Sequence, residues 1–285
     1  MQQYFEYIHT ELKDIYPETE IGSIRNLLLS EITGFTRAQL LANKNTKISD
    51  NQEFLLKKYV AQLKKHTPIQ YVIGQTEFYG LLFKVNSSVL IPRPETEELI
   101  EWIQQSLANL GSYQMLDIGT GSGCIAITLK SIFKKSNVSA FDISDEALKT
   151  ATINAKLNNC EISYHKRDIL TFQNSDIQYD VIVSNPPYIP EYEKSEILPN
   201  VLNHEPHLAL FVPNNNPLVF YNAIAVFALK NLKTKGLLFF EIHKDFGIQI
   251  VELLQKMGFE NVILRQDISG NNRMIKAQKN EQLNL

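Results

Sequence analysis

The feature that most constrains this fold is the run Asp117-Ile118-Gly119-Thr120-Gly121-Ser122-Gly123. The apolar lead Tyr113-Gln114-Met115-Leu116 enters it, and Cys124-Ile125-Ala126-Ile127-Thr128-Leu129 reads as the start of a helix behind it. Strand, glycine-rich turn and helix in that order open a nucleotide-binding βαβ unit. Glycine lets the backbone take conformations other residues avoid and pass close to a ligand. Further strand-like runs at 137–141, 161–164, 179–184, 236–242, 261–264 and 273–276 alternate with helical text. That rhythm predicts an α/β fold, a parallel sheet with helices on both faces.

The turn is not the dinucleotide fingerprint, because G-x-G-x-x-G would need glycine at 124, where Cys124 stands. Asp117 leading Gly119 and Gly121 suits a ligand with a cationic amino-acid end and no pyrophosphate. S-adenosylmethionine is such a ligand. Asp142 closes the run 137–141, about 20 positions past the turn, where an acidic side chain accepts from ribose hydroxyls. Ser144 or Asp145 remains to cap the helix that begins Glu146-Ala147-Leu148-Lys149. In the loop His165-Lys166-Arg167-Asp168-Ile169, Asp168 is expected to accept from an adenine amino group, with Ile169 against the ring.

The run 179–184 ends in Asn185-Pro186-Pro187-Tyr188. Each proline fixes its own φ and biases the preceding residue to extended geometry. The Asn185 side-chain carbonyl and the Pro186 backbone carbonyl are then held ready to accept both hydrogens of a planar NH2 group, and Tyr188 can lie against that group. Asn-Pro and Pro-Pro are also ordinary turn formers. Beside a cofactor turn, the tetrad points to methylation of an amide or amino nitrogen.

With 285 residues, 44% hydrophobic and 21% charged, the chain is expected to be a soluble protein of two domains. Its net charge of -3 supplies no overall basic field for nucleic acid, and Lys57-Lys58, Lys64-Lys65 and Lys134-Lys135 are scattered. No signal peptide or membrane-spanning run is visible. Cys124 and Cys160 lack metal-ligand spacing, so reduced thiols, a cytoplasmic location and no metal are expected. Residues 1–67 read as a helical bundle, 68–90 as a hairpin connector and 91–285 as the α/β domain. Within the last, a helix entered through Leu90-Ile91-Pro92-Arg93-Pro94 ends near Asn109, and the polar tail from Gln278 is expected to fray.

The motifs together resemble the protein-(glutamine) methyltransferases of peptide chain release factors, the PrmC/HemK family. The resemblance rests on Pro68-Ile69-Gln70-Tyr71, Leu90-Ile91-Pro92-Arg93-Pro94-Glu95-Thr96-Glu97, the glycine turn, Ser184-Asn185-Pro186-Pro187-Tyr188-Ile189-Pro190, Glu205-Pro206-His207-Leu208-Ala209-Leu210, and Asp267 with Gly270 and Arg273. It implies a Rossmann-like class I methyltransferase sheet behind the helical domain, which would dock the protein substrate. By the same resemblance Asp117, Ile118, Gly119, Thr120, Gly121, Asp142, Asp168, Ile169 and Asn185 contact S-adenosylmethionine. Asn185, Pro186 and Tyr188 would be catalytic, and Asn185, Pro186, Pro187 and Tyr188 would hold the glutamine. Ile169 departs from the aromatic that family members often carry there. Amino methylation of adenine or cytosine in nucleic acid is the alternative for the tetrad, but it demands a basic groove. A nicotinamide-dependent oxidoreductase is disfavoured by Cys124 in place of the third glycine.

Overall fold

Apolar side chains at three- and four-residue steps make the N-terminal helices amphipathic. In the computed structural model, which describes residues 1–107, 111–172 and 174–281, they are α1 (Gln2–Leu12), α2 (Glu18–Thr33), α3 (Arg37–Ala42) and α4 (Asp50–Leu63). Ile8, Leu12, Leu28, Leu40 and Leu56 are fully buried in one common core. Thr36 and Ser49 open α3 and α4 with capping boxes completed by Gln39 and Gln52, and Gly34 ends α2 in the left-handed conformation. The segment after Pro68, expected to alternate as a hairpin, starts instead with a short helix, α5 (Ile69–Ile73). Strand pairing begins only at β1 (Gln75–Phe78) with β2 (Leu81–Lys84). Tyr79 and Gly80 between them both have positive φ, 51° and 72°, as a type I′ turn requires.

Two compact units result, Met1–Gln75 with Leu198–His204 and Thr76–Ile197 with Glu205–Leu285. The second contains α6 (Pro94–Ser106), β3 (Gln114–Ile118), α7 (Cys124–Ile132), β4 (Asn137–Asp142), α8 (Asp145–Leu157), β5 (Ser163–Lys166), β6 (Tyr179–Ser184) and β7 (Ile189–Pro190). Past α9 (Pro199–Leu202), which belongs to the first unit, come β8 (Phe211–Val212), α10 (Val219–Asn231), β9 (Leu232–Glu241), α11 (Gly247–Lys256), β10 (Phe259–Gln266) and β11 (Asn272–Lys279).

Seven strands form one sheet in the order β10-β11-β9-β6-β3-β4-β5. β3 runs parallel to β4 and β6, β4 to β5, and β6 to β9, while β11 is antiparallel to both of its neighbours. Strand alternation sends Met115, Val181, Val183 and Phe239 to the core shared with α6 and α7. Leu116, Ile182, Leu238 and Phe240 go to the core shared with α10 and α11. Chain order reverses at β3, and such a switch point leaves a crevice at the strands' carboxyl ends.

Several local bounds differ from expectation, β9 beginning at Leu232 and β10 at Phe259 rather than at 236 and 261. β5 runs Ser163–Lys166, two residues later than its sequence signal. α6 ends at Ser106, and the helix end expected near Asn109 lies outside the described residues. Gln278 and Lys279, expected to fray, belong to β11.

Gly123 shows why the turn needs glycine. Its φ is +84°, and a Cβ there would sit 2.9 Å from Ile127 Cδ1 and 3.1 Å from the Ala151 Cβ. Gly123→Ala therefore adds left-handed strain to a clash and is expected to lower stability by at least about 1 kcal/mol. Chemical denaturation reads it, and an unchanged midpoint would contradict the packing role.

Candidate functional site

β3 and β6 lie side by side with Ile118 opposite Ser184. The buried Ser184 hydroxyl donates to the Ile118 carbonyl at 2.7 Å. The glycine turn and the Asn-Pro-Pro-Tyr segment therefore leave the sheet at one edge, and a Cβ on Gly119 would come within 4.0 Å of the Asn185 carbonyl oxygen. A cleft of roughly 400 Å³ opens there. Ile118, Gly119, Thr120, Gly121, Asp142, Asp168, Ile169, Asn185, Pro186 and Pro187 line it, so most of the residues singled out from sequence converge. Asp117 and Tyr188 do not line it.

Asp142 binds the turn that it faces. Its Oδ2 accepts from the Gly121 amide and its Oδ1 from the Ser144 amide, both at 2.9 Å. A carboxylate has about four acceptor sites, so capacity remains toward the cleft. Ser144 caps α8 by accepting from the Ala147 amide. Asp168 accepts from the Leu170 amide at 2.9 Å, while Ile169 is largely buried. Gly121, at φ +53°, has open space where a Cβ would stand, leaving backbone accessible to a ligand.

Asp117 lies beneath the turn at 0% exposure. Thr120 Oγ1 donates to its Oδ2 at 2.6 Å, and its Oδ1 makes no hydrogen bond. Burial pushes its carboxyl up to about 7, against the Thr120 hydroxyl and the nearby Ala126 amide.

Around the tetrad is a set of contacts that the sequence did not announce. Asn185 Nδ2 donates to Thr96 Oγ1 at 3.3 Å. The Thr96 hydroxyl donates to Glu241 Oε2 at 2.6 Å, and the Tyr188 hydroxyl donates to Glu241 Oε1 at 3.2 Å. Glu241 ends β9, almost fully buried, and burial raises its pKa. Arg93, which also lines the cleft, places Nη2 2.6 Å from buried Glu205 Oε1, and the Ile91 amide donates to Glu205 Oε2 at 3.3 Å. Arg93 pairs with a carboxylate while Pro94 occupies the first turn of α6, so helix entry and loop ordering share one segment. Glu205 opens one of the motifs that carry the resemblance, whereas Glu241 sits in sequence as an isolated acid that no local spacing marks.

Asp117 sets a pH dependence. Between its ordinary 3.8 and about 7 the folded chain holds a proton that the unfolded chain has lost. Stability therefore falls as pH rises through that window and is lowest above it. Asp142 and Glu241 are raised by burial in the same sense. Asp117→Asn is expected to remove its share of the slope, at most about 1.4 kcal/mol per pH unit. Thermal unfolding from pH 4 to 8 reads this, and a slope identical to wild type would sink the assignment.

Residues 3–74 match the PrmC N-terminal domain and residues 95–207 the Methyltransferase small domain. A release factor glutamine methyltransferase of Flavobacterium psychrophilum is 46% identical over 269 residues, spanning 93% of this chain and 94% of that protein. Another, of Bacteroides thetaiotaomicron, is 38% identical over 282 residues, spanning 98% and 100%. In fold, the chain is similar to a methyltransferase from Pyrococcus furiosus with a TM-score of 0.53 at 18% identity, over 81% of this chain and 100% of that one. The site thus sits in a chain that belongs to the release factor glutamine methyltransferase family.

Proposed function

We propose that this chain methylates the side-chain amide nitrogen of the glutamine in the Gly-Gly-Gln motif of peptide chain release factors. S-adenosylmethionine, when bound, would supply an activated methyl group: the amide nitrogen forms the new N–CH3 bond in line as the S–CH3 bond breaks and S-adenosylhomocysteine leaves as a neutral thioether. The observation that carries the reading is the state of two acceptors. Among the described residues, neither Asn185 Oδ1 nor the Pro186 carbonyl takes a hydrogen bond, though both residues line the cleft. Acceptors that line a cleft without a protein partner can take a ligand's hydrogens. Two adjacent ones, rigid through Pro186 and Pro187, match the two hydrogens of a primary amide.

The cleft fits the cofactor. Gly119 and Gly121 expose backbone to it, and Asp142 keeps acceptor capacity for the ribose hydroxyls. Ile143, Ile169 and Leu170 line the same cleft and give the adenine an apolar wall, with the Asp168 carboxylate beside them. Asp117 contributes from below by holding the turn through the Thr120 hydroxyl.

Primary amide nitrogen is a weak nucleophile, so the protein's contribution is orientation, for which roughly 7–11 kcal/mol is available in well-aligned cases. Asn185 Oδ1 and the Pro186 carbonyl hold the NH2 group in line and favour the positive charge that develops on nitrogen. The extra proton then leaves to water. Tyr188, tied to Glu241, anchors the far end of the turn. The helical unit docks the protein substrate.

Asn185→Ala is expected to lower kcat by about 10²- to 10³-fold with cofactor affinity little changed. Asp142→Ala is expected to do the opposite, weakening cofactor binding by about 10- to 100-fold. Calorimetric titration beside turnover separates the two, and loss of cofactor binding in the Asn185 variant would refute its role. The substrate is tested with labelled S-adenosylmethionine and three acceptors: a release factor, the same factor with its Gly-Gly-Gln glutamine changed to alanine, and duplex DNA. Label is expected on the intact factor alone. Label on DNA would overturn the protein-substrate reading.

A further inference from the structure

We propose that Thr96 and Glu241 are positioning residues that hold the Asn185 amide in the one orientation that presents its oxygen to the substrate. This rests on the functional reading above and adds the means by which its principal acceptor is set.

An asparagine side chain has nearly the same shape either way round, so only hydrogen bonding decides which end faces the cleft. In the flipped orientation Asn185 would offer NH2 to the substrate's own NH2, donor against donor. Proline rigidity fixes the backbone here but leaves that side-chain choice open. The choice is made one residue away, on α6. Thr96 is 2% exposed, and its hydroxyl has a single hydrogen. That hydrogen goes to Glu241 Oε2 at 2.6 Å. Both Glu241 oxygens accept, Oε2 from Thr96 and Oε1 from Tyr188, so the carboxyl group acts as the acceptor of this bond. Thr96 Oγ1 then has only lone pairs to give Asn185, and the 3.3 Å contact must come from Asn185 Nδ2. Oδ1 is left for the cleft. The polarity of the relay therefore begins at the buried Glu241 carboxyl group and ends at the Asn185 amide that lines the cleft.

Glu241 also accepts from the Tyr188 hydroxyl at 3.2 Å. A single carboxylate thus secures both ends of the Asn-Pro-Pro-Tyr segment, across 145 residues to Thr96 and 53 to Tyr188.

The test compares wild type with Thr96→Val, Thr96→Ser and Glu241→Gln. Valine keeps the shape and removes the hydroxyl, so kcat is expected to fall about 10- to 100-fold while cofactor affinity and the KM for release factor stay within about threefold. Serine restores the hydroxyl and is expected to recover most of kcat. Glu241→Gln can turn an NH2 toward Thr96 and reverse the relay, so a loss like that of the valine variant is expected. Wild-type kcat in Thr96→Val, or a serine variant as impaired as valine, would overturn the proposal while leaving the functional reading intact. A second readout does not depend on turnover. The Asn185 side-chain NH2 resonances, followed by NMR, are expected to shift and lose exchange protection in Thr96→Val. Unchanged resonances would overturn the relay, even if wild type methylated no release factor and the functional reading itself had failed.

Discussion

The site exists because β3 and β6 pair in parallel. Ile118 faces Ser184 across that pair, and the Ser184 hydroxyl, donating to the Ile118 carbonyl 66 residues away, locks the register at the strands' ends. A slip of one residue would send every side chain of β6 to the other face. It would also carry Asn185 away from the glycine turn. Both chain exits stand at the place where strand order reverses, so a cleft there follows from topology before any side chain is considered. The residues then give the cleft its chemistry.

That chemistry is built from carboxylates kept out of water. Asp117, Asp142 and Glu241 all have pKa values raised by burial, and their nearest partners are backbone amides and hydroxyls. Desolvated carboxylates with neutral donors are unfavourable for folding but hold those donors in fixed directions. Asp142 holds the glycine turn and Glu241 the tetrad's neighbourhood. Arg93 and Glu205 follow a different design, with a half-exposed guanidinium pairing a buried carboxylate to draw the Ile91–Arg93 strap onto the rim. Both arrangements fix the direction of the groups around the cleft.

Much of this was legible in advance, for local reasons. Helices α1, α2, α3 and α4 announced themselves by apolar spacing, and the glycine turn, Asp142 and Asn185 to Pro187 by motifs in which each residue acts on its own neighbourhood. Failures occurred where another element decided. Residues 69–73 alternate well enough for a strand, but Val72 is buried in the helical core and the segment coils. β5 extends to Lys166 because β4 offers Asp142 as its partner there. Gln278 looks like a frayed tail, yet it pairs with Glu260 on one side and Leu237 on the other. Tyr188, read as a wall for the substrate, has its hydroxyl on Glu241 and lies away from the cleft lining.

By itself the sequence determined the α/β class, the helical N-terminal segment, the glycine-rich turn after β3 and the proline-stiffened segment after β6. Each depends on backbone preferences and periodicities that span a few residues. Tertiary structure alone decided how those pieces are oriented. Thr96, Asn185 and Glu241 come from three elements, 89 and 145 residues apart along the chain, and only the packing of α6 against the sheet brings them within hydrogen-bonding distance. A hydrogen bond acts over about 3 Å, so its partners cannot be read from sequence until the fold has closed the distance between them.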